Sequence, residues 1–505
     1  MSVHCRPVSA LPGPLALRTL GPGIAWIPAL ALLAILVLDL LWLPLLRATY
    51  PAAIAYNEGW NTYWQQAAAA GRPLYAEPPG WTIENYPPLS FHLIGWLAGI
   101  FGDINMTGRG VALLSLGLVC TLAGVAARQA SGSRPAGWYA ALCPIVWIGV
   151  FASNRIAMND PQFLGMVFEL SGFCIYARWP TARWSLLSSA LLFTLAIFTK
   201  HNLIAAPVAV AADLLLVRQW FRFTIWAATG VAFTLAATSI TCGIDGPFFL
   251  RHLLSARVAD YATGMEISRG YIHLFAPSVI VGGLWTFRHL RYASARPLAL
   301  AWAAATMLGL LLVFGHGVDK NIFFEALVFN GMVAAVALNE MVRAARPVLP
   351  AAMLAMIAAW PVVMVPAVLG RGGWESAALP NVETEFAAGV AAIGARSGPA
   401  WCENLLLCNT AGKAMTFDAY FTSDQIQAGR LAECDLLRQL VAQVPSTIEI
   451  GKTFADDPLL PAARSRFTSG FMQVLLRYYT PVLATSTFYI LAPSDGPWTG
   501  QDACL

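Results

Sequence analysis

Asn57 and Glu58 stand just past a long apolar run, and Glu84 stands two residues before Tyr86 of the Tyr86-Pro87-Pro88 corner in the stretch GWTIENYPPLSFHLIGW. Carboxylates so placed suit two kinds of chemistry, deprotonation of a hydroxyl or ligation of a divalent cation, and both need oxygens within hydrogen-bond reach. Asp160 follows in SNRIAMNDPQF. As a helix cap ahead of Pro161 it needs no function; as a catalytic group it would face Glu58 across one cavity. FTKHN then sets Lys200, His201 and Asn202 between two apolar runs. A lysine there either snorkels to the interface or offers a cation to a lipid phosphate. GHGVDKNIFFEAL repeats the arrangement with His316, Lys320 and Glu325, and an ionisable residue one turn into an apolar helix faces a cavity or a partner. The stretch 242–271 adds Arg251, His252, Arg257, Asp260, Tyr261, Glu266 and Arg269. It reads as a solvated loop or as a lid whose arginines grip phosphate.

The elements that must position these residues are membrane helices. Of 505 residues 58% are hydrophobic and only 11% charged, with a net charge of +4, far from the ~25% charged residues of a soluble domain. The basic residues are scattered in short clusters, which excludes a nucleic-acid surface. Apolar stretches recur at 26–46, 107–127, 136–152, 161–179, 184–199, 202–217, 223–241, 272–287, 297–314, 322–339 and 347–369, with a shorter one at 89–101. One set of loops is short and basic: Arg128 and Arg134, Arg178 and Arg183, Arg218 and Arg222, Arg288, Arg291 and Arg296, Arg343 and Arg346. By the positive-inside rule these are cytoplasmic. The other set holds the acids and faces outward. The basic N-terminus with Arg6 and Arg18 agrees with this only if 89–101 does not cross. The reading is therefore a polytopic α-helical membrane protein with about eleven spanning helices and one re-entrant helix, its N-terminus in the cytoplasm.

Beyond residue 370, GRGGWESAALPNVETEF reads as a linker, 424–443 as a helix, and STIEI and TSTFYILAP as strands. This divides the chain into a membrane domain, 1–370, and a small α/β domain, 371–505, outside the cytoplasm. Cys120, Cys143 and Cys174 lie within spans and read as packing residues. Cys402, Cys408, Cys434 and Cys504 are candidates for one or two disulfides, Cys402 with Cys408 foremost by proximity. A zinc site is the rival reading. Asp39 and Glu169, inside spans, are expected to find interior partners.

Several of these features occur in an order that resembles the GT-C superfamily of polyprenyl-phosphate-dependent glycosyltransferases, which contains protein O-mannosyltransferases and lipid A aminoarabinose transferases. They are Asn57-Glu58 in the first outer loop, YPPL before a half-embedded helix, Gly108-Arg109, Asp160-Pro161, Thr199-Lys200, and Asn321 to Glu325. The resemblance implies inverting transfer of a sugar from a polyprenyl-phosphate donor to a lipid, glycan or protein acceptor on the outer face of a bacterial inner membrane, the C-terminal domain being periplasmic. It implies Glu58 as base or acceptor-orienting group, with Asn57 where an acid often stands, and Glu84 where aminoarabinose transferases carry a metal-binding Glu. A divalent metal ion is thus a candidate cofactor. No nucleotide is expected, since no phosphate-cradling glycine loop is present.

The chemistry agrees with that scheme. Glu58 and Asp160 are the candidate catalytic residues. Lys200, His201, Lys320, Arg257, Tyr86 and Glu325 are the candidate donor-phosphate and substrate contacts. On this reading alanine at Glu58 or Asp160 abolishes transfer and leaves folding intact. The alternative from another class is a transporter or flippase of lipid-linked sugars. It would show paired broken helices and internal repeats, whereas one re-entrant segment and no repeat are visible.

Overall fold

The computed structural model describes residues 26–77, 80–255, 258–344, 363–451, 467 and 469–494. Its helices are α1 (Ile27–Ala48), α2 (Asn57–Ala69), α3 (Leu89–Phe101), α4 (Ile104–Ser131), α5 (Arg134–Ala152), α6 (Gln162–Arg178), α7 (Arg183–Thr199), α8 (Ala205–Leu216), α9 (Trp220–Ile244), α10 (Phe249–Leu253), α11 (Tyr261–His289), α12 (Arg296–Leu312), α13 (Phe324–Arg343) and α14 (Val365–Gly394). Six helices among the described residues are long and apolar enough to cross a membrane: Ile27–Ala48, Ile104–Ser131, Arg134–Arg155, Trp220–Ile244, Tyr261–His289 and Lys320–Arg343. α3, α7, α8 and α12 are apolar but shorter. The expected stretch 347–369 lies largely outside the described residues.

α13 is the hub, buried at every position from Phe324 to Asn339. α9 buries only Thr241 and lies at the periphery. At one end of the bundle the basic loops meet. Arg222 donates to the carbonyls of Thr181 and Pro180, and Arg296 pairs with Asp213, which also accepts from Tyr176. At the other end Arg109, near the start of α4, donates to the carbonyls of Arg47, Ala48 and Tyr50 at the close of α1. The segment between α1 and α4 therefore leaves and rejoins the bundle at the same end, and α3 does not cross. Pro87 and Pro88 start it, since neither can continue a preceding helix. Gly95 lets it settle on α2, where an added Cβ would meet Gln65 O at 2.9 Å. At 1.5 Å per residue α7 and α8 span ~26 and ~18 Å, and the 200–204 turn joins them.

Two expectations are corrected here. The run after residue 370 is no linker: α14 passes through it without a break, and Pro380 is accommodated inside the helix. Asp39 lies on the exposed side of α1, not facing the interior.

The C-terminal region has four strands, β1 (Ala400–Cys402), β2 (Thr447–Gly451), β3 (Tyr479–Ala484) and β4 (Phe488–Pro493), in the order β1-β2-β4-β3. β1 runs parallel to β2, and β4 is antiparallel to β2 and to β3. Helices α15 (Leu405–Thr410), α16 (Ala419–Gln427), α17 (Glu433–Gln443) and α18 (Ser469–Tyr478) complete it. The stretch expected as one helix is two, broken where Gly429 takes φ +67°, a conformation open to glycine at little cost. Cys402 and Cys408 are disulfide-bonded, with Cα atoms 6.0 Å apart, and Cys434 is also in a disulfide. Cys504 lies outside the described residues.

The C-terminal region closes over the acidic end of the bundle. Gly59 of α2 sits so tightly on α15 that an added Cβ would stand 2.2 Å from Leu406 N. Tyr56 donates to Asp418, Gln66 and Asn409 exchange amide hydrogen bonds, and Asp418 N–H reaches Trp81 O.

Candidate active site

Glu58 enters the site as the second residue of α2 and is fully buried. Its Oε1 accepts from Arg109 Nε at 2.8 Å and Asn159 N at 3.0 Å. Its Oε2 accepts from Arg109 Nη2 at 2.7 Å and Ile54 N at 2.6 Å. Four donors use the capacity of an ionised carboxylate. With its oxygens so occupied, Glu58 joins α2, α4 and the 153–160 loop. Asn159 continues the joint through Gln65 and Asn105, and its amide rests on Gly108, where a Cβ would stand 2.1 Å from Oδ1. Gly108-Arg109 is thus a packing-and-pairing motif.

One step away, Lys200 is 4% exposed at the tip of the α7–α8 hairpin. Its ammonium donates to Asp160 Oδ1 at 2.9 Å and, with the Asn321 amide oriented carbonyl-inward, to Asn321 at 3.0 Å. It stands 4.9 Å from the centre of the Tyr86 ring. Asp160 Oδ1 also accepts from Gln162 N at the start of α6, while Oδ2 is buried without a partner among the described residues. Tyr86 is held by Trp60, 5.0 Å between ring centres, and by Tyr75, which donates to its carbonyl. His201 lies beside the same ring at 6.3 Å. Lys320 is exposed and stands 5.5 Å from the Phe151 ring, next to Asp319, which pairs with Arg155. The structure so brings Asp160, Lys200, His201, Tyr86 and Lys320 to one end of the bundle. Arg257 lies outside the described residues.

Above Tyr86 lies an open cavity of about 80 Å³ between α2 and α16. Asn57, Trp60 and Tyr86 line one wall and His316, Tyr420 and Asp424 the other. Sequence reading gave no role of their own to Asn321 and Asp424. The first belongs to a motif that it noted for Glu325. The second lies in the C-terminal region, with nothing local to tie it to the membrane helices.

Glu325 does not line the cavity above Tyr86. It is buried against Glu169, and the two carboxyls accept from Ala205 N at 3.1 Å and Ala206 N at 2.9 Å. Both cap the first turn of α8, whose N–H groups have no partners within the helix.

The surroundings of Glu84 do not fit a divalent metal. Oε1 accepts from Tyr86 N at 2.6 Å, Oε2 is buried without a partner among the described residues, and Nδ1 of the neighbouring His252 takes Glu84's own N–H. No three His, Cys, Asp or Glu side chains gather among the described residues as a ligand set. Burial pushes the Glu84 carboxyl well above its ordinary range, against the pull of the Tyr86 N–H and with help from Asp418 and Asp245. A carboxyl raised in the fold keeps its proton when the unfolded chain has lost its own. Stability is then full below the ordinary carboxylate value and falls as pH rises through the folded value. Glu84→Gln removes this dependence. Thermal unfolding in detergent should show the variant equal to wild type near about pH 4 and more stable near about pH 8; parallel curves would show an ionised Glu84 instead.

No family model matches the sequence, and no curated protein sequence matches it. Solved structures do. ArnT from Cupriavidus metallidurans, bound to undecaprenyl phosphate, is 15% identical with a TM-score of 0.57, covering 95% of this chain and 99% of that one. The Archaeoglobus fulgidus oligosaccharyltransferase in the apo form is 11% identical with a TM-score of 0.52, covering 93% of this chain and 74% of that one. AglB of the same organism, with an inhibitory peptide and a dolichol-phosphate, is 12% identical with a TM-score of 0.52, covering 94% and 75%. At such identities the similarity is one of fold.

Proposed function

From the GT-C fold that this multi-pass membrane protein shares with those enzymes, we propose that it transfers a sugar, with inversion, from a polyprenyl-phosphate donor to an acceptor in the cavity above Tyr86. The observation that carries the reading is Lys200, a buried cation held by Asp160 and Asn321, 4.9 Å from the ring of Tyr86, which lines that cavity. Loss of a sugar leaves the lipid phosphate with an extra negative charge, and a preorganised ammonium stabilises that charge as it develops. Two of its protons are committed to Asp160 and Asn321; the third, towards the Tyr86 ring, is the one a phosphate oxygen would take. Asp160 acts by positioning: a carboxylate already paired with Lys200 and a helix N-terminus is a poor base. Lys320, exposed on the same side, supplies a second cation.

The arginine-rich end of the bundle faces the cytoplasm on this reading, which puts the cavity and the region beyond residue 370 in the periplasm and the enzyme in the inner membrane. The test is to incubate the purified full chain with undecaprenyl-phosphate-linked monosaccharides and envelope glycolipids of the source cell. Release of undecaprenyl phosphate that requires the acceptor supports the proposal. Translocation of the donor across vesicles without release would convert it to a transporter.

A further inference from the structure

Inverting transfer needs a base for the acceptor hydroxyl, and the carboxylates of the first outer loop are not available. Glu58 is saturated, Glu84 is buried beneath Tyr86, and the position lining the cavity is Asn57, which cannot accept a proton. Asp418 caps α16 and accepts from Tyr56. On the opposite wall His316 Nδ1 lies 2.9 Å from Asp424 Oδ1 and 3.0 Å from the Tyr420 hydroxyl, its ring stacked on Tyr420 with the planes 9° apart. Asp424 is itself nearly buried and is steadied by Gln425 at Oδ2. Facing a carboxylate, Nδ1 carries the proton, and Nε2 is left without a hydrogen-bond partner among the described residues, on a ring that lines the cavity.

The backbone is built for this contact. His316 N–H donates to Val258 O at 2.7 Å, and Gly317 takes φ +74° at a point where a Cβ would stand 1.8 Å from the Tyr420 hydroxyl oxygen. Only glycine lets the loop approach α16 so closely.

We propose that His316, oriented by Asp424, is the general base of the reaction. The inference rests on the transferase reading above. Nε2 takes the proton of the acceptor hydroxyl as its oxygen bonds to the anomeric carbon, the bond from that carbon to the phosphate oxygen breaks, and its electron pair leaves on the polyprenyl phosphate beside Lys200. The site is thereby completed by the C-terminal region, which supplies Asp424.

The test uses full-length protein in the transfer assay described above, with undecaprenyl phosphate alone as the binding probe. His316→Asn keeps an N–H for Asp424 but has no base. His316→Ala opens room for imidazole. Turnover should fall roughly 100- to 10,000-fold in both, with undecaprenyl phosphate affinity within about twofold of wild type, and added imidazole should restore His316→Ala by at least about tenfold but not His316→Asn. Asp424→Asn should also slow turnover without loss of binding. Turnover within about threefold of wild type in His316→Ala, or loss unrelieved by imidazole together with a lowered melting temperature in both His316 variants, would overturn the assignment and leave a docking contact. An inactive wild type that fails to bind the lipid phosphate would instead remove the transferase reading.

Discussion

Replacing Lys200 with alanine should weaken undecaprenyl phosphate binding by about 30- to 1,000-fold, the equivalent of ~2–4 kcal/mol for a charge-assisted contact in a buried site. Three features make this the most sensitive cation. It is buried, so solvent does not screen it; its two partners hold it without rotational freedom; and Asp160 stands 2.9 Å away. Arginine should not restore function, because a planar guanidinium cannot occupy a point between Asp160 Oδ1 and Asn321 as an ammonium does. Alanine also leaves the Asp160 carboxylate buried and unpaired, so Lys200→Ala should lower the melting temperature. Lys200→Met with Asp160→Asn should recover that stability without recovering binding. Affinity measured by native mass spectrometry and melting measured on the same preparation separate the two effects. Unchanged affinity in Lys200→Ala would detach the phosphate from this centre.

Glu58→Ala is expected to prevent folding rather than catalysis. It strands the Arg109 guanidinium, 1% exposed, with only backbone carbonyls and a thioether around it. Breaking a buried pair from one side costs ~3–5 kcal/mol, since the remaining charge is desolvated without compensation, and that is a large share of the net stability of an ordinary domain. Asn159 N and Ile54 N also lose their acceptor, so the entry into α2 and the loop before Asp160 loosen together. Glu58→Gln should be milder, and Glu58→Ala combined with Arg109→Met milder than Glu58→Ala alone. Fluorescence-detected size exclusion and thermal unfolding of the set measure this. A Glu58→Ala protein that is folded and melts like wild type yet fails to transfer sugar would return Glu58 to the role of base.

Much of the architecture could be read from residue types alone. Arginines at one set of loops and acids at the other required 89–101 to stay on one side. The structure agrees, because Arg109 ties the start of α4 to the end of α1. Strands at 446–450 and 485–493 were legible from their β-branched and aromatic residues, and β2 and β4 form there. The continuous helix through 370–386 was not legible. Its glycines and proline have weak helical preference, and contacts along α14, with Leu379, Phe386 and Ile393 buried, override that preference.

What the sequence by itself determined is which residues are expensive to place in an apolar medium and at which end of the helices they must gather. Transfer free energy depends on side-chain type and position in a run, and both are local. What each carboxylate does was decided only by the tertiary structure. Glu58 and Arg109 are 51 positions apart, Asp160 and Lys200 40, Glu169 and the N–H of Ala206 37, His316 and Asp424 108. Whether an acid is spent on an arginine, a lysine, a helix terminus or a histidine depends on distances of a few ångströms between such remote positions, and no spacing along the chain encodes them.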